Sequence, residues 1–473
     1  MNQLRITPFL LLIMMVISSV GCSNTALRQA QDAYRAGDLV SARNKIDGYS
    51  KSNEKGRNAV IAWMEKGTIY RALGDVEASN EAFANADEQL EHWDEQPEFK
   101  AGQEGAALLT NLNMLPYRGY NYDRIMLNTY RALNFMQLGD LSAARVELIR
   151  AYNRQQEAVE RNAKRLEKAS EAAQAQSEAD KKNKQGANTQ KTIESNEVQG
   201  KIAENFAKLK KYKAFADYVN PFSELLQGVY FMHAAADTAD LTRAELSLQR
   251  VAGMLPNNPY VKEDLNTISQ LKAGSTGEPL TYIFFETGVA PSRKTIRIDL
   301  PLFLVNREVD YVGMAFPMLE MHENYTNVIN VSANGRRAAT SLISDMDSIV
   351  AQEFMNELPL VITKTVMSSA AKAAAAWGIK QAAKGDNAAQ LIAIISTTAY
   401  QVATNEADLR TWAGLPKQFQ YARVKTPANR SIQLSLGGGV FQRVQLDEGK
   451  INVVYVKSIA AGLPPIVSQF KLK

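Results

Sequence analysis

Cys22 is the only thiol in the chain and its most reactive side chain by type. A lone unpaired cysteine in an exported chain needs a reason, and acylation of its thiol supplies one. With no second cysteine no intramolecular disulfide can form, and the fold must stand on its core alone. His92, His233 and His322 fall in three unrelated segments. None has a second His or Cys at metal-ligand spacing, so no metal is expected. A Ser-His-Asp set meets only in the fold and stays open, but no nucleophile elbow marks a serine. Glu286, beside Phe284 and Phe285, is the one acid whose surroundings invite a raised pKa. A satisfied strand-end carboxylate is the plainer reading. The pattern points away from an enzyme, and a covalent lipid is the only added group expected.

The position of Cys22 supports acylation. A short start with one cation, Arg5, leads into the apolar run Phe9 to Ile17, then Ser18, Ser19, Val20 and Gly21. That is the layout of a secretory signal over 1–21, and its apolar run is too short to span a bilayer. Ser19-Val20-Gly21-Cys22 resembles the bacterial lipobox, with Ser19 where Leu is usual. An ordinary signal with an incidental cysteine competes with it. The expected mature protein carries a palmitate-type acyl lipid on Cys22. Ser23, in place of the Asp that favours inner-membrane retention, implies an outer-membrane lipoprotein facing the periplasm.

Without the signal, 53 Lys and Arg stand against 50 Asp and Glu. Near-neutrality excludes nucleic-acid binding by overall charge. The positive excess is local, with roughly two cations per anion in 161–213.

Between 22 and 274 the chain reads as helix pairs. Trp63, Gly67, Tyr70, Gly74-Asp75, Phe83 and Ala86 form the fullest unit, and they resemble the tetratricopeptide repeat, with Ser79 where Ala is preferred. Looser units carry Gly37-Asp38, Gly139-Asp140 and, in the last, Asp240 to Pro256 with a lengthened turn at Ala234 to Thr238. Stacked helix pairs make a concave surface suited to a protein or peptide partner. Tyr117, Tyr120, Tyr122 and Arg124 could line a binding groove, with Trp63 and Tyr70 as further partner-binding candidates. Tyrosines at a helix entry also pack on neighbouring helices with wet hydroxyls. Residues 153–213 read as a projecting basic helical hairpin, its crest at Lys181 to Gly200 almost devoid of apolar residues and expected to be flexible.

From 275 the period becomes strand-like: nine β-branched and aromatic stretches lie between Pro and Gly breaks. Gly437-Gly438-Gly439 joins two strands and lacks the strand-to-helix setting of a phosphate loop. A helical insertion over 344–412 interrupts the strands. Leu358 to Lys384 and Ala388 to Ala403, around Gly385-Asp386-Asn387, read as a helical hairpin. Lys364, Lys372 and Lys380 argue against insertion into a membrane, and the small residues of 358–403 offer a homo-oligomer contact. The expected class is α+β: a tetratricopeptide-like solenoid, then a sandwich-like β-rich domain with a helical hairpin insertion.

Three strings carry a family resemblance: Tyr122-Asp123-Arg124 with Asn128; Phe285-Glu286-Thr287-Gly288 with Ala290-Pro291; and Asp408-Leu409-Arg410-Thr411-Trp412 with Leu415-Pro416. With them the chain resembles a poorly characterised family of bacterial envelope lipoproteins with N-terminal tetratricopeptide-like helices. The resemblance implies a setting in envelope or peptidoglycan assembly, beside lipoproteins similar to activators of penicillin-binding proteins. It assigns no catalytic residue. The function expected is a protein-binding scaffold in the envelope; a structural subunit of an oligomeric assembly and an envelope hydrolase are the alternatives.

Overall fold

The computed structural model describes residues 23–96, 115–182, 188–303, 309–382, 407–437 and 439–473. Cys22, the signal segment, Gly438 and the second arm of the 358–403 hairpin with its turn lie outside the described residues.

Helices α1 (Ser23–Arg35), α2 (Leu39–Ser52), α3 (Ala59–Leu73) and α4 (Val76–Glu95) form two antiparallel pairs. Then α5 (Asn121–Leu138) pairs with α6 (Leu141–Lys182). The Gly-Asp steps do the work expected of them. Gly37, Gly74 and Gly139 have φ of 78°, 82° and 79°, a left-handed conformation that costs glycine little. The following Asp38, Asp75 and Asp140 each accept a backbone N–H from Ser41, Ala78 and Ala143, capping the next helix. Within a pair, a Cβ on Gly67 would lie 2.4 Å from the Phe83 ring, so only glycine admits that contact. Ser79 sits at the same seam, donating its hydroxyl to Gly67 O at 2.7 Å.

The last unit is displaced from the expected turn. Helix α9 (Pro221–His233) is followed by α10 (Thr238–Met254) and α11 (Pro259–Lys272). Asp237 is the cap of α10, while Asp240 lies inside the helix and pairs with Arg145 at 2.6 Å.

The expected projecting hairpin is corrected. Helix α6 is a single 42-residue helix lying along the insertion helix α12 (Met346–Ala382), tied to it by Arg165 on Glu357. The crest is helical where described: α7 (Thr189–Glu194) and α8 (Asn196–Asn205). Thr189, Thr192, Val198 and Ile202 are buried, and Asn188 N donates to Phe303 O at 2.6 Å. Four small or apolar residues at helical spacing suffice to seat so polar a stretch.

Strands β1 (Leu280–Thr287), β6 (Ser341–Asp345), β7 (Gln418–Lys425), β10 (Ile451–Ser458) and β11 (Ile466–Lys471) form one sheet ordered β11-β10-β1-β7-β6. Its one parallel pair is β1–β10. Strands β4 (Asn330–Ala333), β5 (Arg336–Ala339), β8 (Ser431–Ser435) and β9 (Phe441–Gln445) form a smaller sheet, and β2 (Ser292–Phe303) with β3 (Val309–Glu320) a ribbon. The sandwich expectation needs correcting in one respect. Ile283 and Phe285 do face the small sheet, in a core with Val331, Ile432 and Leu434. Yet Tyr282 and Phe284, pointing the other way, join the core of the helical array. The molecule has three layers: helices, large sheet, small sheet. The run Tyr282-Ile283-Phe284-Phe285 carries that signature, since a strand buried on both faces reads apolar throughout.

The first arm of the expected hairpin is α12, with Pro359 inside it. Leu358, Leu360, Ile362, Val366, Met367 and Ala370 on that arm are buried within this chain, so that stretch has its partners in cis. No described helix is long and apolar enough to cross a membrane.

Candidate functional site

The groove of the helical array is occupied by the chain's own segment 408–416. Trp412 is fully buried there, its ring edge-on to Phe83 and Tyr130 at centroid distances of 5.8 and 5.7 Å. Its indole N–H donates to Thr68 Oγ1 at 2.8 Å. Backbone groups on either side are also held: Ala413 N donates to Glu65 at 2.6 Å, and Gln31 donates to Thr411 O at 3.2 Å. A Cβ on Gly414 would lie 2.5 Å from Thr68, so the segment lies directly on α3. Burial pushes Glu65 up to about 7, against the bonds from Gln31 and Ala413. The array therefore grips an irregular peptide that turns at Ala413–Gly414, and the peptide is its own.

Beside this peg lies a cage of buried charge between the array and the large sheet. Glu286 on β1 accepts from Lys457 Nζ, from the hydroxyl of Tyr455, and from that of Tyr130 at 3.0 Å. Arg71 lies over the Tyr455 ring at 4.6 Å. Burial holds Lys457 below the usual lysine range, with Glu286 opposing that shift. Glu286, singled out from sequence as an acid among aromatics, is thus an interlayer ion-pair centre. His233 is also buried, 2.9 Å from the Tyr282 hydroxyl, and burial lowers it to about 3. Among the described residues no group of acids, histidines or cysteines is arranged to hold a metal ion.

The tyrosine candidates come together at the start of α5. Tyr117 donates its hydroxyl to Asp123 at 2.6 Å, and Tyr120 N donates to the same oxygen at 2.9 Å. Tyr120 stacks on Tyr122 at 5.3 Å and meets Tyr117 edge-on at 5.7 Å. Tyr117 and Tyr122 are buried and Tyr120 is half-buried. Asp123 is raised to about 7 by burial. Arg124 is buried too, its guanidinium forked onto Asp94 at 2.6 and 2.8 Å and donating to Arg118 O. Trp63 and Tyr70 lie elsewhere, half-buried at the α2–α3 seam, where Trp63 donates to Glu54 O and Tyr70 to Asp47. Lys66 sits over both rings. Burial of Tyr117, Tyr122 and Arg124 makes them the floor of this region, while its surface belongs to other residues.

That surface is a cleft of about 420 Å³ between the end of α4, the 118–119 turn and the middle of α6. Its cations are Arg118, Arg124, Arg161, Lys164, Arg165 and Lys168, against Asp94, Glu157 and Glu160. Arg124 is matched by Asp94, and Arg165 by Glu357. Arg161 is matched only loosely: Glu157 is 3.9 Å from its Nη2, and its buried Nη1 has no acceptor among the described residues. Burial, then repulsion from Arg124, pulls Arg161 down to about 10. Sequence reading placed Arg161 in a solvated charge run. Helix periodicity puts it near Lys164, Arg165 and Lys168, but only the folded chain shows that Arg124 and Arg118 face it from across the cleft.

No family model and no curated protein matches the chain. Among solved structures, it is similar to an assembly chaperone of RpL4 (Acl4), at 13% identity and TM-score 0.27 over 53% of this chain and 70% of that one. It is also similar to a tetratricopeptide repeat protein from Parabacteroides merdae, at 14% identity and TM-score 0.15 over 52% and 98%. Overlaps this loose carry no conclusion, so the helix pairs stand on their own geometry.

Proposed function

We propose that the protein is a lipid-anchored scaffold of the bacterial cell envelope, seating an acidic segment of a partner protein in the cleft along α6. The observation that carries this is Arg161, a largely enclosed cation with a donor left over among five further cations. A buried donor without an acceptor is costly, and a carboxylate from a partner removes that cost. The inner groove, which the repeat pattern offered for docking, is filled by Trp412 in this chain, so docking falls to the cleft. Cys22, with the signal layout before it, supplies outer-membrane attachment on the periplasmic side, and no catalytic step is assigned.

A photo-crosslinking residue at Lys164, exposed on the cleft rim, tests the reading in living cells. A discrete adduct is expected, and Arg161→Glu should reduce it at least tenfold while leaving the protein folded. An adduct indifferent to that charge reversal, or none at all, would count against the cleft. Cys22→Ser should separately release the protein from the membrane fraction; retention there would remove the anchor.

A further inference from the structure

A second cavity, of about 170 Å³, adjoins the cleft at Arg118, Gly119 and Arg165 and runs inward between α6, α12 and the start of α5. Its walls are largely apolar, with Leu115, Pro116, Pro317, Leu360, Val361 and Met367 among them. Five cations also line it, against two acids. Both acids are already engaged: Glu357 by Arg165 at 2.6 Å, and Asp408 by Arg410 at 2.6 Å through Nη2 and 2.9 Å through Nε. Arg118 donates to the carbonyls of Trp93 and Gln96.

Arg293, from β2, is left over. It is 8% exposed, and its Nε and Nη2 are buried with no acceptor among the described residues. Its guanidinium lies 4.0 Å from the Tyr120 ring centroid and 5.3 Å from that of Phe354. Ring faces stabilise a cation without using its N–H donors. Nε and Nη2 are the parallel pair of a guanidinium fork, the pair that takes two oxygens of a carboxylate or phosphate side by side. Both fork atoms are enclosed by the protein, so an anion meets them once the side chain turns toward the cavity, whose walls are largely apolar.

We propose that this cavity binds a single-chain amphiphile, its carboxylate or phosphate head on the Arg293 fork and its apolar chain along the α12 wall. Tyr120 and Phe354 hold the arginine in place, and Leu360, Val361 and Met367 supply the surface for the chain. This proposal does not depend on the partner reading: Arg293 lines the cavity and not the cleft, which share only Arg118, Gly119 and Arg165.

Calorimetric titration of the full chain in lipid nanodiscs, blanked against empty nanodiscs, tests it with octanoate, octyl phosphate and neutral octanol. One saturable site is expected for at least one of the two anions, with octanol at least tenfold weaker. The tighter of the two anions identifies the head group. Arg293→Met should cost the anion at least tenfold and leave octanol unchanged. Val361→Phe, which fills the cavity from its apolar side, should weaken the anion as well. Absence of a saturable site, octanol binding as tightly as the anions, or an Arg293→Met protein with unchanged affinity would overturn the proposal. If Arg293→Met does not fold, Val361→Phe decides: wild-type anion affinity in that variant overturns it, and loss upholds it.

Discussion

Two regions of this molecule are built from the same parts and end in opposite states. The groove over α3–α5 and the cleft with its inner cavity beside α6 both combine aromatic rings, buried acids and cations on facing helices. In the groove, the residues that grip the peg are matched, Glu65 taking Gln31 and Ala413 and Thr68 taking Trp412, and in the cage beside it Glu286 takes Lys457 and two tyrosines. In the cleft and cavity, Arg161 and Arg293 keep donors with no acceptor among the described residues. The contrast teaches where to look. Matched burial is how a chain holds its own layers together; an unmatched cation that lines a cleft or cavity is a candidate for completion from outside. A peptide-binding scaffold would be sought first in the concave groove, and here that groove joins helices to sheet.

The severest way to break the comparison is to empty the groove. Trp412→Ala removes a fully buried indole and its bond to Thr68, and such truncations cost about 3–5 kcal/mol. A large fall in the thermal midpoint is expected, with the photo-crosslinked adduct at Lys164 kept at temperatures where the variant is folded. A mild change in midpoint with a newly recruited partner would instead mean that the peg is a displaceable inhibitor, and that both regions serve binding.

The charge cage is next. Lys457→Met leaves Glu286 buried with tyrosines alone, and breaking one side of a buried pair costs about 3 kcal/mol or more. The double variant with Glu286→Gln should recover much of that, because the uncompensated charge is gone. Chemical denaturation of the two proteins measures the difference. A double variant no more stable than the single one would show that the cage is more than structural support.

The legibility of these regions in sequence follows from range. Gly74-Asp75 and Gly139-Asp140 announced their turns because a left-handed glycine and a capping aspartate are properties of adjacent residues. Nine of the eleven described strands announced themselves through β-branched and aromatic stretches between breaks; the short β5 and β6 did not, and β6 ends at Asp345, inside the stretch from 344 expected to be helical. Two of the resemblance strings fell on contacts between segments far apart in the chain, at Glu286 and Trp412, without saying what those contacts were. Arg293 was silent. It is one basic residue near the start of a strand, and nothing local tells that Tyr120 lies over it or that Glu357 is spent on Arg165. Likewise Thr189 and Thr192 look like part of a solvated crest until β2 is placed beside them. Charge matching is a property of the whole fold.

Acidity sharpens the comparison with a smaller effect. Burial raises Glu65 and Asp123 to about 7 and, with Glu357 nearby, Glu353 to about 8, although Asn121 and Tyr122 donate backbone N–H groups to Glu353. Unfolded, these acids lose their protons near pH 4; folded, they keep them to pH 7 or 8. The folded state therefore binds more protons through that window, and stability falls as pH rises across it. His233 acts in the opposite sense, because a folded value near 3 costs stability as pH falls below about 6.5. From pH 6.5 to 8.5 the acids prevail, so the thermal midpoint should drop. Glu65→Gln, which keeps an acceptor for Ala413, should flatten that drop. A midpoint that rises over the same range would mean that these acids are ionised in the fold and the groove is less dry than its burial indicates.

The smallest effect asks whether the two regions are one body. Asp75 caps α4 on the groove side, and Asp140 caps α6 on the cleft side, each through one side-chain bond to a backbone N–H, at 3.1 and 2.9 Å. Replacing either by Ala costs about 1 kcal/mol, which in a chain of this length moves the midpoint by roughly 1–2 °C. The helices they cap share one continuous core: Phe83, Tyr130, Leu148, Phe284 and Trp412 belong to the same buried cluster. Asp75→Ala and Asp140→Ala should therefore shift a single calorimetric transition by similar amounts, and the double variant by their sum, since the caps do not touch. Two transitions, each moved by only one variant, would separate groove from cleft. Matched and unmatched burial would then belong to independent units, and the shared core would not make groove and cleft one cooperative body.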